Sequence, residues 1–240
     1  MINFNKLKHY TDFIESKYGY GCEDFSIFLY SLIKMKKPKI IVDFGTGLGS
    51  TMLWAAAGCK ENKIGKVISI DNGSHWNFLL KKSENKILKE ENYNSFINKI
   101  INNHNLNDFV IFKNEEIDLE TSNNIDNIDI AIFDFKHGPL DIIEILSKTL
   151  KNMSQNSIIF IDSASTLLSS YLILEKIINE FNKNIILDVF NKEEKTKNFI
   201  LSSNFTLLHI LENKERNQNS TAMIQITPKS CIPYSPYFRY

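Results

Sequence analysis

Residues 40–50 read IIVDFGTGLGS, an apolar run that passes through Asp43 into three glycines at alternate positions. The run predicts a buried strand, because Pro38 bounds it in front and the glycines bound it behind. Glycines permit positive φ angles and let a ligand approach the backbone closely. Ser50 and Thr51 then start a predicted helix whose first N–H groups have no intrahelical partner. This strand, turn and helix predict a binding site for a nucleotide-like ligand.

The rest of the chain alternates short apolar runs with longer amphipathic ones. After the first strand at 39–43, strands are predicted at 66–71, 109–112, 128–133, 157–161, 205–211 and 221–226, and helices at 50–58, 75–103 (one or two), 140–153 and 167–181. The last two strands are joined by a short polar link, which requires an antiparallel pair. The sequence therefore predicts an α/β fold, Rossmann-like and doubly wound, with a mostly parallel seven-stranded sheet and a C-terminal antiparallel hairpin.

The length of 240 residues fits one large domain with small additions at its ends. We expect an N-terminal helical segment at 1–37, a ligand-binding domain at 38–227 and a tail at 228–240. The 28 basic and 28 acidic residues give a net charge of zero, which disfavours a nucleic-acid partner.

Cysteines and apolar runs indicate the compartment. The three cysteines are odd in number and far apart, which favours a reducing environment and argues against a disulfide framework or a zinc site. No apolar run approaches the roughly 20 residues that a membrane helix needs, and the N-terminus lacks the pattern of a signal peptide. We expect a cytoplasmic protein without a membrane partner.

Two details of the glycine turn narrow the ligand. The dinucleotide pattern G-x-G-x-x-G requires a sixth-position glycine, and Ser50 stands there instead. A carboxylate at Asp43 would repel a pyrophosphate, whereas it can hold a cationic amine or position a water. Asp71 closes the second predicted strand, where it can accept both hydroxyls of a ribose. These features favour a nucleoside that carries an amino acid, and a turn that serves structure alone remains the alternative.

Three further positions come after the second and third predicted strands, with Trp76 in the helix that follows the second. Trp76 could lie against a purine face, although a single tryptophan also serves in a core. Glu115 is a candidate for the adenine amine, and solvation of a loop explains it about as well. Asn72 follows Asp71 directly and is included in the predicted site.

The arrangement resembles the class I S-adenosylmethionine-dependent methyltransferases. The resemblance rests on IIVDFGTGLGS, ISID at 68–71, DIAIFDFKHGP at 129–139 and the terminal hairpin, and it covers roughly residues 38–226. It implies S-adenosylmethionine as the cofactor, with the three glycines bordering its methionine moiety and Asp71 binding its ribose. The predicted cofactor-binding set is Asp43, Gly45, Thr46, Gly47, Gly49, Ser50, Asp71, Asn72, Trp76, Glu115, Asp134 and Phe135.

The segment after the fourth strand supplies the candidate catalytic residues. Ligands of parallel sheets lie at the carboxyl ends of the strands, so Asp134 is expected near the methyl donor. His137 is the natural base by residue type, because an imidazole accepts a proton near neutral pH. A loop histidine packed against Pro139 is the alternative.

A metal site is considered at the same sheet edge. The segment is similar to the branch whose fourth strand ends in an Asp-Gly-Asp-His run, with Asp134 and His137 matching and Phe135 and Lys136 departing. Asp134 and Asp162 could hold Mg²⁺ or Ca²⁺ through oxygen ligands. Because of these departures and the positive charge of Lys136, we favour a metal-free site with His137 or Asp134 as base.

The sequence thus favours methyl transfer to a small-molecule acceptor, with a hydroxyl of a sugar or natural product as the expected target. A methyltransferase for protein or RNA, an NAD-dependent oxidoreductase and a non-catalytic scaffold of the same fold stay open as alternatives. The oxidoreductase is disfavoured because Asp71 lies 26 residues beyond Gly45, where about 20 is usual. A homodimer stays open as well.

Overall fold

The computed structural model describes residues 2–19, 21–76, 92–119, 125–212 and 220–230. Its helices are α1 (Phe4–Tyr18), α2 (Glu23–Lys36), α3 (Ser50–Asn62), α4 (Tyr93–Asn103), α5 (Pro139–Thr149), α6 (Leu168–Asn182) and α7 (Glu194–Ser202). Its strands are β1 (Ile40–Phe44), β2 (Lys66–Ile70), β3 (Val110–Lys113), β4 (Ile128–Phe133), β5 (Met153–Asp162), β6 (Ser203–Leu211) and β7 (Ser220–Pro228). Short 3₁₀ turns occupy Leu150–Asn152 and Asp188–Phe190.

The chain forms two compact units. The first unit comprises Met1–Ser122 and Ile128–Phe135, and the second comprises Asn123–Asn127 and Lys136–Tyr240. In the first unit β1 pairs in parallel with both β2 and β4, and β2 pairs in parallel with β3. In the second unit β7 pairs antiparallel with both β5 and β6.

The strand order is β3-β2-β1-β4-β5-β7-β6, so the described strands form a mixed sheet of seven. The predicted Rossmann-like, mostly parallel sheet is confirmed, and so is its antiparallel C-terminal hairpin. The last strand of the described chain, β7, lies between β5 and β6.

The first unit is built around β1 and α3. Ile41 and Val42 of β1 are fully buried, as expected for a parallel strand that is covered on both faces. The rings of Phe44 and Phe133 stack with centroids 4.7 Å apart and planes 5° apart. Helix α3 is buried along most of its length, because its small residues at 55–57 allow close approach. The glycine turn is therefore held between two well-packed elements.

The second unit has an aromatic cluster of its own. The Phe181 ring lies 4.9 Å from that of Phe190 and 5.2 Å from that of Phe205, centroid to centroid. The Asn182 side chain bonds the backbone of Phe205 in both directions, donating at 2.7 Å and accepting at 2.9 Å. These contacts fasten the end of α6 to β6.

Some predicted boundaries are wrong. The helix predicted to reach Met153 ends at Thr149, and Met153 instead begins β5, four residues before the predicted strand. Polar Ser154, Gln155 and Asn156 concealed this part of β5, because their side chains are partly or fully exposed there. Helix α7 was not predicted at all.

Other predictions lie partly outside the described residues. Of the helical region predicted at 75–103, Tyr93–Asn103 is a helix and 77–91 lie outside the described residues. The link at 213–219 and the tail from 231 onward also lie outside them. Within the described parts of the chain, no helix has the length and apolar character needed to cross a bilayer.

Candidate functional site

Asp43 lies beneath the glycine turn with only 1% of its surface exposed. The parallel register places Asp43 opposite Ser69 of β2. The Ser69 hydroxyl donates to Asp43 Oδ2 at 2.6 Å, and the Thr46 hydroxyl lies 2.7 Å from Ser69 Oγ. No described residue supplies a hydrogen bond to the buried Asp43 Oδ1. The turn thus has a carboxyl oxygen beneath it that a water or a cationic amine could satisfy.

The environment of Asp43 changes its acidity. Burial raises the pKa of Asp43 to about 7, the Ser69 hydrogen bond opposes this rise, and the nearby Asp71 charge adds to it. The carboxyl therefore titrates near neutral pH. A cation bound beside it would favour the ionised form.

Gly45 brings two loops together within the first unit. Its φ angle is +101°, and a Cβ atom there would lie 2.4 Å from the carbonyl oxygen of Asp134. The Asp134 N–H in turn donates to the Phe44 carbonyl at 2.8 Å, continuing the β1–β4 ladder. Only glycine fits at position 45, because both the backbone angle and the space exclude a side chain.

The Gly47 backbone is held on both sides by side chains. Its N–H donates to Asp71 Oδ2 at 2.9 Å, and its carbonyl accepts from the Tyr93 hydroxyl at 2.8 Å. The second oxygen of Asp71 accepts the N–H of Gly73 at 2.7 Å. Asp71 therefore shapes its own loop and the glycine turn together. A carboxylate has about four acceptor positions, so it retains capacity for ligand hydroxyls.

Tyr93 was not predicted as part of the site. Its ring lies over Gly73, where a Cβ atom would approach Tyr93 Cδ1 to 2.5 Å. Burial raises the pKa of Tyr93 well above its usual range, and the charges of Asp71 and Asp43 add to the effect. The phenol therefore stays protonated, and it acts as a fixed donor to the turn.

Gly49 and Ser50 face the packed side of the turn. A Cβ at Gly49 would lie 2.7 Å from Ile100 Cδ1 of α4, and the φ angle there is +83°. The Ser50 hydroxyl lies 3.0 Å from that of Thr11 and 3.4 Å from that of Ser26. The Ser50 side chain thus joins α3 to the two N-terminal helices. The contact of Ser50 with a ligand stays a prediction. The Ser50 backbone, and not its side chain, would make that contact.

Trp76, Asn72 and Glu115 differ in burial. Trp76 is 5% exposed, and its ring centroid lies 4.9 Å from that of Phe96 and 5.8 Å from that of Tyr93. These contacts fit the core alternative better than an open purine platform. Asn72 is exposed and accepts from the Ser74 N–H at 2.8 Å. Glu115 is exposed and lies 3.5 Å from the Lys113 ammonium.

Asp134 and Phe135 follow β4 directly. The Asp134 side chain is exposed, and Phe135 is half-buried with its ring centroid 6.3 Å from that of Phe133. Because of the backbone contact between Asp134 and Gly45, the predicted placement of this segment beside the turn agrees with the first unit's geometry. The roles of both side chains toward a ligand stay predictions.

His137 and Asp162 belong to the second unit. The His137 carbonyl accepts from the Ser170 hydroxyl at 2.6 Å, and its side chain is half-buried. Asp162 ends β5, and its Oδ2 accepts from the Ser163 hydroxyl at 2.6 Å. Within the described ranges, no group of three or more His, Cys, Asp or Glu residues is arranged to hold a metal ion. Their catalytic and metal-binding roles stay predictions.

Side-chain hydrogen bonds around the turn involve four of the predicted residues: Asp43, Thr46, Gly47 and Asp71. They also involve Ser69 and Tyr93, which sequence reasoning missed. Ser69 had a signal, because it is the polar residue of the otherwise apolar run 67–70. Tyr93 had none, because it reaches Gly47 from 46 residues away along the chain.

The turn has the features of a site for a ligand with hydroxyls and an amine. Helix α3 begins at Ser50, and its N-cap Gly49 has no side chain to bond the first N–H groups. Acidic side chains lie on either side of the turn, at Asp43 beneath it and at Asp71 beside it. A phosphate-rich ligand would meet two carboxylates, whereas an amino acid attached to a ribose would find acceptors for both parts.

Comparison with known sequences identifies one family. A family model described as a methyltransferase domain matches residues 42–164, about half of the chain. The match begins within β1 and extends into the loop after β5, so it includes the glycine turn. No curated protein sequence matches the chain.

Solved structures agree on the fold. A methyltransferase from Geobacter sulfurreducens has a TM-score of 0.56 at 13% identity, over 92% of this chain and 89% of that one. The O-methyltransferase TomG from Streptomyces achromogenes, solved with SAM, has 0.56 at 11% identity, over 95% and 92%. An O-methyltransferase from Bacillus cereus, in complex with SAH, has 0.54 at 14% identity, over 93% and 90%.

Proposed function

Because the chain belongs to the methyltransferase-domain family, we propose that it transfers the methyl group of S-adenosylmethionine to a hydroxyl of a small molecule. The observation that carries the donor assignment is the Asp43–Ser69–Thr46 network beneath a glycine turn whose Gly47 peptide is held by Asp71. Two similar structures are O-methyltransferases solved with SAM or SAH, which supports the choice of donor and of a hydroxyl as target.

The donor-side roles follow from the contacts. Asp71 would accept the ribose hydroxyls with the lone pairs that the Gly47 and Gly73 amides leave free. The glycine turn would border the methionine moiety, with Asp43 satisfied by its ammonium directly or through a water. When bound, S-adenosylmethionine would supply a methyl carbon that a nucleophile attacks, with the thioether sulfur of S-adenosylhomocysteine as the leaving group. The remaining cofactor contacts of Asn72, Trp76, Glu115, Asp134 and Phe135 are part of the proposal.

The acceptor-side roles rest on residue chemistry. Methyl transfer to a hydroxyl needs alignment with the methyl group and removal of the hydroxyl proton. We assign proton removal to His137 or Asp134 in a metal-free site. In this assignment the His137 imidazole or the Asp134 carboxylate would take the proton of the acceptor hydroxyl. Asp134 and Asp162 as oxygen ligands of Mg²⁺ or Ca²⁺ are the alternative that chelation tests.

The wider setting is also proposed. The methyltransferase domain would extend over 38–227, with the helical segment 1–37 before it and the tail 228–240 after it. A net charge of zero supports a small-molecule acceptor over a nucleic acid. We place the protein in the cytoplasm, in keeping with its scattered cysteines. A homodimer stays a prediction.

The donor assignment is tested by calorimetric titration with S-adenosylhomocysteine and, separately, with NAD. We expect S-adenosylhomocysteine to bind and NAD not to bind. Asp71→Ala should abolish binding, because it removes the hydroxyl acceptor and frees the Gly47 amide. Asp12→Ala is the matched control, since Asp12 is an exposed aspartate of α1. NAD binding, or unchanged affinity in Asp71→Ala, would contradict the proposal.

The acceptor side is tested by transfer of a labelled methyl group to small hydroxyl compounds. His137→Ala should lower turnover and leave the affinity for S-adenosylhomocysteine unchanged. An equal loss of both would place His137 among the donor-binding residues. Activity that EDTA removes and Mg²⁺ restores would replace the metal-free assignment with the metal-dependent one.

A further inference from the structure

Three side chains of the second unit form a continuous hydrogen-bonded array. The Ser165 hydroxyl lies 2.5 Å from His209 Nδ1, and His209 Nε2 lies 3.1 Å from Glu175 Oε1. A carboxylate only accepts hydrogen bonds, so Nε2 carries the proton and donates to Glu175. Nδ1 is then left to accept the proton of Ser165. The contacts with Glu175 and Ser165 thus assign the Nε2-protonated tautomer of His209, in which the unprotonated Nδ1 faces the Ser165 hydroxyl.

The array lies at the edge where β5 ends. Ser165 follows the last residue of that strand by three positions. In the β7 register, Asp162 of β5 and Ile210 of β6 both face Thr221, so His209 reaches nearly the same level. Ligands of α/β sheets bind outside the ends of such strands. The three side chains therefore occupy a place that is suited to chemistry.

The imidazole of His209 is fixed in orientation and still partly open. The Tyr171 ring stacks on it with centroids 4.2 Å apart and planes 29° apart. The His209 side chain is 15% exposed and that of Glu175 is 51% exposed. Ser165 is half-buried in its loop. A nucleophile next to a base that a third group orients is the recurring pattern of activated hydroxyls.

Donors for a developing oxyanion lie close by in the chain. Helix α6 begins at Leu168, and Leu167 at its N-cap has no side chain that bonds the first turn. The first N–H groups of a helix have no intrahelical acceptor, and they stabilise negative charge. They follow Ser165 by only three residues. N–H groups of this kind stabilise the oxyanion that forms when a hydroxyl attacks an ester carbonyl.

We propose that Ser165 is an activated nucleophile that attacks activated acyl esters, with His209 as its proton acceptor and Glu175 as the orienting group. The Ser165 oxygen forms a bond to the ester carbonyl carbon, and its proton moves to His209. The alcohol leaves with that proton as its bond to carbon breaks. Water then cleaves the acyl-serine by the reverse proton path. This activity is separate from methyl transfer and does not rest on it.

The test uses a fluorophosphonate probe on the full chain. Ser165 displaces fluoride from phosphorus in the same manner, so we expect one phosphonyl adduct, located at Ser165 by mass spectrometry of peptides. Ser165→Ala should lose the adduct. His209→Gln should slow labelling by about 10²-fold or more, and Glu175→Gln by a smaller factor. Ser169→Ala is the matched control, because Ser169 is an exposed serine on the same segment, and its labelling should equal that of the wild type.

The outcomes separate cleanly. No adduct at Ser165 in the wild type, or an equal rate in His209→Gln, overturns the proposal. Glu175 is exposed, so Glu175→Gln reports on the array even where His209→Gln lowers stability. A burst of one p-nitrophenolate per chain from p-nitrophenyl acetate, absent in Ser165→Ala, is the second expected result. Binding of S-adenosylhomocysteine should be unchanged in all of these variants. If the wild type does not bind S-adenosylhomocysteine, that result contradicts the proposed donor site and not the proposed role of Ser165.

Discussion

The loops after β1 and after β5 each follow a buried strand that has an aspartate at or near its end. The two loops differ in the groups that they present. The loop after β1 passes through Gly45 and Gly47 with positive φ angles and presents backbone groups. The loop after β5 has Ser163 with a φ angle of +57° and presents side chains, of which Ser165 contacts a histidine 44 residues away. The difference teaches that one loop depends on backbone conformation and the other on side-chain partners.

The largest expected effect is at Gly45, where the first loop admits no side chain. Gly45→Ala adds a Cβ atom 2.4 Å from the Asp134 carbonyl oxygen, so the backbone must shift. We expect the free energy of unfolding to fall by more than about 3 kcal/mol and donor binding to be lost. Urea denaturation and calorimetry with S-adenosylhomocysteine measure both.

Gly19→Ala is the control for Gly45→Ala. Gly19 has a φ angle of +70°, and its added Cβ atom would meet nothing within 4 Å. It therefore carries the strain of a positive φ alone, about 1–2 kcal/mol. Equal losses in the free energy of unfolding of the two variants would mean that the close contact with Asp134 contributes nothing. The stated difference between the two loops would then be wrong.

The next effect concerns the pH dependence of stability through Asp43. Unfolded Asp43 titrates near 3.8, and burial raises its folded pKa to about 7, so the folded state holds the proton more tightly. The free energy of unfolding should therefore fall as pH rises from about 4 to about 7 and level off above. Asp43→Asn should remove this part of the slope, as measured by urea denaturation across that range.

Asp12→Asn supplies the same chemical change at an exposed position of α1. Asp12→Asn is therefore the control variant for the measurement on Asp43→Asn. Parallel curves for Asp43→Asn and the wild type would mean that the carboxyl beneath the turn is not held in its protonated form by burial.

A smaller effect is expected at Tyr93, which holds the Gly47 carbonyl. Tyr93→Phe removes one hydrogen bond and leaves the ring over Gly73. We expect the affinity for S-adenosylhomocysteine to fall by about fivefold, equivalent to about 1 kcal/mol. Tyr30→Phe is the control, because it loses a 2.6 Å bond to Glu61 on the far end of α3. Equal affinities in the two variants would show that the turn does not need this clamp.

The smallest effect is expected in the loop after β5. Thr166→Ala removes the contact of its hydroxyl with that of Ser220, 2.6 Å away. We expect a loss of about 1 kcal/mol or less in the free energy of unfolding and no change in donor affinity. If the affinity of Thr166→Ala for S-adenosylhomocysteine fell as much as that of Tyr93→Phe, the loop after β5 would also have a role in donor binding.

The sequence predicted the parts of the fold that local chemistry determines. The glycines after β1 and the apolar runs of the parallel strands can be recognised in one sequence, because backbone conformation and burial require those residue types. The same holds for Asp71, which ends a strand beside the turn. The start of β5 escaped prediction, because Gln155 and Asn156 are exposed on that strand and read as a loop.

The contacts of the candidate sites depend on tertiary structure. Tyr93 reaches the turn from a helix that begins 46 residues after Gly47, and nothing near Tyr93 in the sequence marks it. His209 meets Ser165 because β7 lies between β5 and β6, which sets the level of β6. Residue type indicates what a side chain can do, and only the fold determines which side chains meet.

The central place of β7 in the second unit has a consequence for synthesis on the ribosome. β5 and β6 emerge before β7, and each of them pairs with it. Until then both carry unpaired backbone edges, which are sites of intermolecular strand pairing. The nascent chain therefore needs shelter for these edges until β7 has been made. A premature stop before Ser220 would leave the same edges permanently open and direct the product toward aggregation and proteolysis.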